Sequence, residues 1–450
     1  MPELLASLLE FLEIYRPAFT APSFANMIVI FAGWVQSNGT HAVTEALVVT
    51  GVSARRHHEA YHRFFSRGTW SADELGRLLF GAIVRVLAAE APVRIAVDDT
   101  LAPKKGRHVF GIGSHLDAVR STKRFRVFCF GHCWVVLAVL VPVPFSSSAR
   151  VWALPVLFRL YRNKKECAKK AHPYRKKTEL AREMLDLFLT WVAVGRIELA
   201  ADSAYCNDTV TRDLPARMIL LGSMRPDAVL TALPEAARGK QGGRPRKRGE
   251  VLAKPEVIGR DGRRAWKTCD LMLYGKREHV HYKECVGQWY RACGTRLLRV
   301  VIVWMPKGAI DLRVFFSTDA AMSVEQILEG YAGRWSIETT FKNLKQLLGF
   351  ADSQARKKQA VERTAPFVGL MYTMLVLWFA QRAHATALAA PPIRPWYRHK
   401  RGFSFADVLR TAQRVLAPLD VLDPRRGLAN LHQLRSRRAP PSSAAVRRAA

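Results

Sequence analysis

The spacing of apolar and polar positions predicts a mostly helical region over residues 1 to about 90. Within it, residues 44–66 predict a helix, a turn at Gly51 and a second, basic helix, which together form a helix-turn-helix pattern. The basic residues predicted on the second helix are Arg55, Arg56, His57, His58, His62 and Arg63. Base-contacting residues occupy this place in such motifs. An ordinary helical hairpin with an exposed basic face fits the same pattern equally well.

Two short apolar strands predicted further along the chain each end in carboxylates. The segment RIAV over 94–97 is followed by Asp98 and Asp99, and the segment RIELAADSAY over 196–205 has Asp202 at the end of its strand. Between them the pattern predicts two β-rich runs and one apolar helix, over 125–143, 151–161 and 178–195.

From about residue 231 to 310 the pattern changes to short β-like pieces. This region contains a Gly- and Arg-rich segment over 238–250, which includes the sequence GGRPRKRG. Such a sequence is similar to hooks that enter a narrow A·T minor groove, and a solvated basic loop explains it equally well. The arginines of the segment are Arg244, Arg246 and Arg248.

The segment YAGRWSIETTFKNLKQLLGF over 331–350 predicts one continuous helix. At about 100° per residue, four of its polar side chains fall within an arc of about 60°. They are Tyr331, Arg334, Glu338 and Lys345. A solvated polar face explains any one of these residues, so the choice between that and a functional stripe depends on the rest of the chain.

The charge of the chain narrows the class of partner. Lys and Arg number 70 and Asp and Glu 37 among 450 residues, so the formal net charge is +33. A charge of this size favours a polyanionic partner, and DNA or RNA is the commonest one. We expect no membrane association, because the apolar run over 365–380 has 16 residues, where a membrane span needs about 20. The amino-terminal segment also lacks the basic start of a signal peptide.

The seven cysteines are an odd number and include no CxxC spacing. This argues against a disulfide framework and a zinc ribbon, and it predicts a reducing, cytoplasmic location.

The acids at the strand ends and on the helix predict metal chemistry. A carboxylate beside an apolar core is costly unless it has a partner, and hard divalent cations with oxygen ligands are suitable partners. Two Mg²⁺ ions, with Mn²⁺ able to substitute, can activate a nucleophile and stabilise the leaving oxygen of a phosphodiester. We therefore predict a metal site made by Asp202, Glu338 and one of Asp98 and Asp99.

These residues resemble those of the DDE transposases of bacterial insertion sequences. In particular, Tyr331, Arg334, Glu338 and Lys345 match the Y-x2-R-x3-E-x6-K signature of the insertion-sequence-four group at every spacing. The segments DDT over 98–100 and ADSAY over 201–205 match the regions of that family's first and second aspartates. The resemblance covers about residues 90–385.

The resemblance implies an α/β fold with a ribonuclease-H-like core and a β-rich insertion, flanked by N-terminal and C-terminal helical regions. We expect five segments along the chain. They are a DNA-binding helical region over 1–90, the first part of the core over 91–230, the insertion over 231–310, the last part of the core over 311–388, and a C-terminal helix with a basic disordered tail over 389–450.

The resemblance also implies residue roles. Asp99 is the expected first acid, because the family's aspartate directly precedes a threonine, and Asp98 is the alternative. Asp202 and Glu338 are the expected second and third acids. Tyr331, Arg334 and Lys345 are expected to contact phosphates near the cleaved end. Lys104 and Lys105 follow the first acid closely and are expected to contact the DNA backbone.

The function implied is DNA transposition. The enzyme would cleave DNA at insertion-sequence ends and transfer the 3′ end into target DNA by two-metal phosphoryl transfer, as a homodimer on DNA. Two alternatives are an inactive, domesticated DNA-binding protein and a host nuclease of the same fold. Intact acids argue against the first, and sequence-specific binding by residues 1–90 would separate a transposase from the second.

Overall fold

The computed structural model describes residues 2–87, 92–106, 108–122, 124–146, 150–235, 246–304, 312–392, 395–396 and 402–419. Arg244 and the predicted basic tail over 435–450 lie outside these residues.

The described part of the chain contains fourteen α-helices. They are α1 (Pro2–Glu13), α2 (Ala21–Gln36), α3 (Val43–Val49), α4 (Glu59–Ser66), α5 (Ala72–Leu87), α6 (Lys164–Lys169), α7 (Lys177–Trp191), α8 (Asp208–Thr211), α9 (Pro255–Arg260), α10 (Tyr290–Cys293), α11 (Val324–Gly333), α12 (Ser336–Leu347), α13 (Lys358–Gln381) and α14 (Phe405–Leu416).

Ten strands form one mixed sheet. They are β1 (Val93–Pro103), β2 (Gly113–Leu116), β3 (Phe128–Val141), β4 (Trp152–Tyr161), β5 (Ile197–Ala201), β6 (Met218–Met224), β7 (Lys267–Leu273), β8 (Lys276–Gln288), β9 (Leu297–Trp304) and β10 (Leu312–Ser317). The spatial order is β2-β3-β1-β5-β6-β10-β9-β8-β7, and β4 also pairs with β3. This large mixed sheet with helices confirms the predicted α/β class and is consistent with a ribonuclease-H-like core.

The strand directions follow from the connections between strands. β1 pairs antiparallel with β3, and β1, β5 and β6 are parallel neighbours. Parallel strands need long crossovers, and the chain between β1 and β5 includes α7. The β-rich segment predicted as an insertion supplies β7, β8 and β9, which extend the same sheet through β10.

The core lies between the sheet and the apolar helix α13. Helix α13 contacts α5 and β4, and Thr373 on α13 donates a hydrogen bond to the Pro155 carbonyl at 2.8 Å. Helix α13 is long and apolar enough to cross a membrane, but 94% of its most apolar window is buried inside the protein. Its apolar surface is thus used in packing the sheet against the N-terminal helices.

Candidate active site

The first two acids of the site lie on neighbouring parallel strands. Val97 on β1 lies opposite Ala201 on β5, so Asp98 and Asp202 each follow a paired residue. Successive side chains on a strand point to opposite faces of the sheet, and residues at matching positions on neighbouring strands share a face. Asp98 and Asp202 are therefore neighbours where the pairing of β1 with β5 stops, although β1 itself continues past the predicted end of its strand to Pro103.

The third acid and an arginine come from the junction of α11 and α12. The chain does not form the single helix predicted over 331–350, because helical pairing stops after Gly333 and resumes at Ser336. The junction is a tight turn in which Arg334 N–H donates to the Tyr331 carbonyl at 3.1 Å, and Ile337 N–H donates to the Arg334 carbonyl at 3.0 Å. The prediction of one continuous helix was therefore wrong, because this turn divides the segment into α11 and α12.

Arg334 connects the acids. Its Nη1 donates to Oδ2 of Asp98 at 2.6 Å, and its Nη2 contacts Oε1 of Glu338 at 3.5 Å. The Arg334 side chain is buried, and its Nε has no acceptor among the described residues. Of the four polar side chains predicted to share one helix face, Arg334 thus contacts Asp98 on another element, β1, as well as Glu338 on α12.

The electrostatics of the three acids are coupled. Burial raises the pKa of Asp98 to about 7, since the opposing effect of Arg334 is only partial and the negative charge of Asp202 raises it further. Burial also raises the pKa of Glu338, against the lowering effect of Arg334 and with a contribution from Asp202. Raised pKa values in neighbouring carboxyl groups are typical of functional sites and show that positive charge would stabilise the ionised acids.

Asp99, predicted as the first acid with Asp98 as the alternative, lies in a different environment from Asp98. Lys177 Nζ donates to its Oδ2 at 2.6 Å, and the Tyr205 hydroxyl donates to its Oδ1 at 2.9 Å. Cys133 Sγ also lies 3.4 Å from Oδ2. Because neighbouring strand residues point to opposite faces, it is the alternative residue, Asp98, that shares a face with Asp202.

The donor set fits a hard divalent cation, although the side chains are not arranged as a finished metal site. Carboxylate oxygens are the ligands that Mg²⁺ prefers, and the burial that raises the pKa of Asp98 and Glu338 is a cost that a nearby positive charge would offset. Among the described residues, no group of three or more His, Cys, Asp or Glu side chains is close enough to hold a metal ion. In this conformation the Arg334 guanidinium supplies positive charge between Asp98 and Glu338.

The other two residues of the stripe have different surroundings. The Tyr331 hydroxyl donates to Ser223 Oγ on β6 at 3.2 Å, and its ring centroid lies 4.8 Å from that of Phe315. Lys345, near the end of α12, is exposed. Neither environment tests the predicted contact with a phosphate, so that contact remains a prediction for Tyr331 and Lys345.

Lys104 does not fit its predicted role in DNA contact. Its Nζ donates to the Ala351 and Ser353 carbonyls, both at 2.5 Å, and burial lowers its pKa to about 8. These two hydrogen bonds connect the end of β1 to the segment between α12 and α13. The ammonium group of Lys104 therefore already has two acceptors within the protein. Lys105, the next residue, is exposed.

The predicted helix-turn-helix also needs a correction. Helix α3 ends before Gly51, which has a φ of 68°, and a 3₁₀ turn over Val52–Ala54 follows. Helix α4 begins only at Glu59, so Arg55 and Arg56 lie in the connection and not on the second helix. A left-handed glycine followed by a 3₁₀ turn lengthens the connection at the expense of the second helix.

The remaining predicted arginines lie in the basic segment before α9. Arg246 and Arg248 are exposed. The Arg248 guanidinium lies 5.5 Å from the Tyr290 ring centroid.

The sequence analysis missed four residues around the acids, namely Lys177, Tyr205, Tyr274 and Trp335. Tyr274 lies at the tip of the β7–β8 hairpin with a φ of 53°, and its ring centroid lies 6.1 Å from that of Trp335, beside Arg334. Both rings are about half exposed. The Tyr-Gly pair between two β-like runs was the one available signal for this hairpin.

Comparisons with known proteins place the chain in a family. The sequence profile described as DDE superfamily endonuclease matches residues 16–277. Because this match spans more than half of the chain, the protein belongs to the DDE superfamily endonucleases. The match includes Asp98 and Asp202, and Glu338 lies beyond its end. Members of this superfamily generally use divalent metal ions.

Among solved structures, one match is the piggyBac transposase in a synaptic complex with hairpin DNA. The two chains are 11% identical, the match covers 96% of this chain and 82% of that chain, and the TM-score is 0.42. A comparison with curated proteins gives no significant match.

Proposed function

We propose that the protein is a DNA transposase of the insertion-sequence-four type. It would cleave DNA at the ends of an element and join the freed 3′ hydroxyl to target DNA. The observation that carries this proposal is that Arg334 contacts both Asp98 on β1 and Glu338 on α12, while the charge of Asp202, just after β5, acts on both acids. Membership of a DDE endonuclease family and a net charge of +33 support it.

In this proposal the three acids hold two Mg²⁺ ions, and Mn²⁺ can substitute. Asp98 takes the place that the sequence analysis had assigned to Asp99, because it is Asp98 that lies beside Asp202. Bound there, the ions would supply Lewis-acid activation of the attacking oxygen and would offset charge on the leaving oxygen. Carboxylate ligands from two strands and a helix hold their positions through the rigid sheet beneath them.

Arg334 has two proposed roles. It offsets the repulsion between the acids in the absence of metal, and it contacts a phosphate of bound DNA. The unpartnered Nε supports the second role, because a buried guanidinium N–H without an acceptor is costly and a phosphate oxygen would satisfy it. Tyr331 and Lys345 would supply a hydroxyl donor and a point charge to neighbouring phosphates.

The wider DNA contacts are part of the same proposal. Lys105, Arg55, Arg56, Arg246 and Arg248 are exposed, and with Arg244 they are proposed to bind the DNA backbone of element ends or target. Because two ends must be joined, we propose a homodimer on DNA. We also propose a bacterial cytoplasmic location, associated with the nucleoid.

Cleavage of a labelled duplex that carries the element's own ends tests this function. The wild-type protein is compared with Asp202→Asn and Glu338→Gln, in Mg²⁺ and in Ca²⁺. We expect cuts at the ends in Mg²⁺ only, and loss of the cuts in both variants while end binding is nearly unchanged.

Two other outcomes would change the assignment. Tight binding without cleavage in any metal would favour the inactive DNA-binding protein. Cleavage that does not depend on the end sequence would favour a host nuclease.

A further inference from the structure

The segment over 113–130, which we call the ribbon, consists of β2, the start of β3 and the turn between them. Pairing of β1 with β3 stops at Pro103 and Gly131. The ribbon therefore projects past the end of β1. Ser114 lies opposite Phe130 and Leu116 lies opposite Phe128 across its two strands.

The turn of the ribbon is well organised. Asp117 Oδ1 accepts hydrogen bonds from the N–H groups of Val119 and Arg120, both at 3.1 Å. Asp117 N–H donates to the Val127 carbonyl at 2.8 Å, and Val127 N–H donates to Ser121 Oγ at 3.0 Å. A turn that satisfies its own backbone groups in this way holds a definite shape.

One face of the ribbon is fixed to the body of the protein. His115 is buried, with its ring centroid 5.7 Å from that of Tyr161 on β4. Asn163 Nδ2 donates to the Ser114 carbonyl at 3.0 Å. These contacts determine which face of the ribbon points outward.

The outward face is apolar and exposed. Phe128 and Phe130 are two residues apart on one strand, and their exposed fractions are 62% and 63%. Leu116, opposite Phe128, is 49% exposed. Two phenylalanines and a leucine on one exposed face need a partner, since large apolar side chains are rarely left in water together.

The charge around this face identifies the class of partner. Arg120, Arg124 and Arg126 lie in the same segment and are exposed. Asp117 is the one acid in the sequence of the ribbon, and its carboxylate is used in the turn. A second copy of this basic ribbon would be repelled, whereas a polyanion would be attracted.

The ribbon is also close to the acids. Val136 on β3 lies opposite Asp98, and Phe130 is six residues before it. At about 3.3 Å per residue this is roughly 20 Å, or about six base pairs of B-DNA at roughly 3.4 Å each. Desolvation lowers the pKa of Lys345, and the negative charge of Asp117 in the turn of the ribbon opposes this effect, so the turn lies near one of the proposed phosphate contacts.

We propose that the ribbon enters the minor groove of duplex DNA beside the cleavage site and inserts Phe128 and Phe130 between base pairs. This rests on the proposed function and adds a specific substrate form, a kinked duplex. The two phenylalanines are about 6.6 Å apart along the strand, close to the rise of two base pairs. Minor-groove proteins combine arginines with apolar wedges in this way to unstack and bend DNA.

The test uses the full chain and a 40-base-pair duplex that carries the element's terminal sequence. The duplex has a dye at each end and 2-aminopurine about six base pairs from the cut. For the wild type we expect a rise in 2-aminopurine fluorescence and an increase in energy transfer between the dyes. The double variant Phe128→Ser/Phe130→Ser should lose both signals and bind on the order of tenfold more weakly for each side chain.

Three control variants separate the wedge from other effects. Val194→Ser alters another exposed apolar residue, which precedes β5 at the end far from Asp202, and it should behave as wild type. Phe128→Leu/Phe130→Leu should keep much of the bend, because leucine also serves as a wedge. Arg124→Gln/Arg126→Gln should flatten the salt dependence of binding by about two phosphate contacts, and the serine variant should not.

The outcomes distinguish the ribbon from the proposed function. A wild type that neither binds nor cuts the duplex overturns the proposed function. A wild type that cuts, with a serine variant that keeps the bend and the fluorescence, overturns the ribbon proposal alone. A serine variant that changes the oligomeric state without DNA would assign this face to a second copy, and stronger binding to single strands than to duplex would also reject the wedge.

Discussion

Asp98 and Asp99 are neighbours in the sequence, but they lie in two different regions of the molecule. On one face of β1, Asp98 lies beside Asp202 and is held by Arg334 at 2.6 Å. On the other face, Asp99 accepts hydrogen bonds from Lys177 and Tyr205 at 2.6 and 2.9 Å. Asp99 thus accepts from a lysine and a tyrosine, whereas Asp98 accepts from the Asp99 N–H and from an arginine that also contacts Glu338, and it lies close to a second carboxylate.

We propose that the difference separates an acid held by the protein from an acid that can accept a cation. Both acids have both oxygens hydrogen-bonded, since Oδ1 of Asp98 accepts from Asp99 N–H at 2.8 Å and its Oδ2 from Arg334, so the distinction lies in the second carboxylate, Asp202, beside Asp98. An acid with a raised pKa and a neighbouring carboxylate gains from any positive charge brought to it. Four predictions test this difference between Asp98 and Asp99, from the largest expected effect to the smallest.

The largest expected effect is on cleavage. Asp98→Asn should lower the rate of DNA cleavage in Mg²⁺ by about a thousandfold or more, because loss of a metal-binding carboxylate removes several kcal/mol of transition-state stabilisation. Asp99→Asn should lower the rate by less than about tenfold. The measurement is single-turnover cleavage of labelled duplex, with folding of each variant checked by circular dichroism. The reverse order of the two variants would restore Asp99 as the first acid.

The second effect concerns Asp99 and the stability of the fold, not the rate of cleavage. Asp99→Asn should lower the free energy of unfolding by about 1–2 kcal/mol, because Lys177 loses its charged partner in a partly solvated pair. Urea unfolding in EDTA measures this. The matched variant Lys177→Met/Asp99→Asn removes both charges and should recover part of the loss. An unchanged unfolding free energy in Asp99→Asn would show that its contacts contribute little.

The third effect is the pH dependence of stability without metal. The pKa of Asp98 is raised to about 7 from an ordinary 3.8, so the folded protein holds this proton more tightly than the unfolded chain. The free energy of unfolding should therefore fall as pH rises between these values, by on the order of 4 kcal/mol. Asp98→Asn should remove this slope, so its stability relative to wild type should rise from pH 5 to pH 8. Parallel pH profiles for the two proteins in EDTA would contradict the assignment.

The smallest effect concerns Lys345 on α12, one of the proposed phosphate contacts. Lys345→Ala should weaken end binding and reduce the slope of log affinity against log salt by about 0.9, the value for one phosphate contact. Lys342→Ala, an exposed residue one turn earlier on α12, makes the same charge change and serves as the control. Equal slopes for wild type and Lys345→Ala in a salt titration would remove Lys345 from the DNA contacts.

The sequence by itself determined the class of fold and the regions that carry the acids. The apolar strand that ends before Asp202 could be predicted from local pattern, whereas the strand predicted to end at Asp98 and Asp99 continues to Pro103. Glu338 was proposed from the spacing of its signature, and a polyanionic partner from the net charge. Each of these signals is contained in a short segment or in the composition.

The tertiary structure decided which side chains meet. The choice between Asp98 and Asp99 depends on the register of β1 against β5, and no local pattern of β1 contains the position of β5. The hydrogen bonds of the Lys104 ammonium group depend on two carbonyls almost 250 residues away in the chain. The exposed face of the ribbon likewise depends on its anchor to β4. Local propensity sets the elements, but long-range pairing and packing decide which face of each element is buried, paired or free.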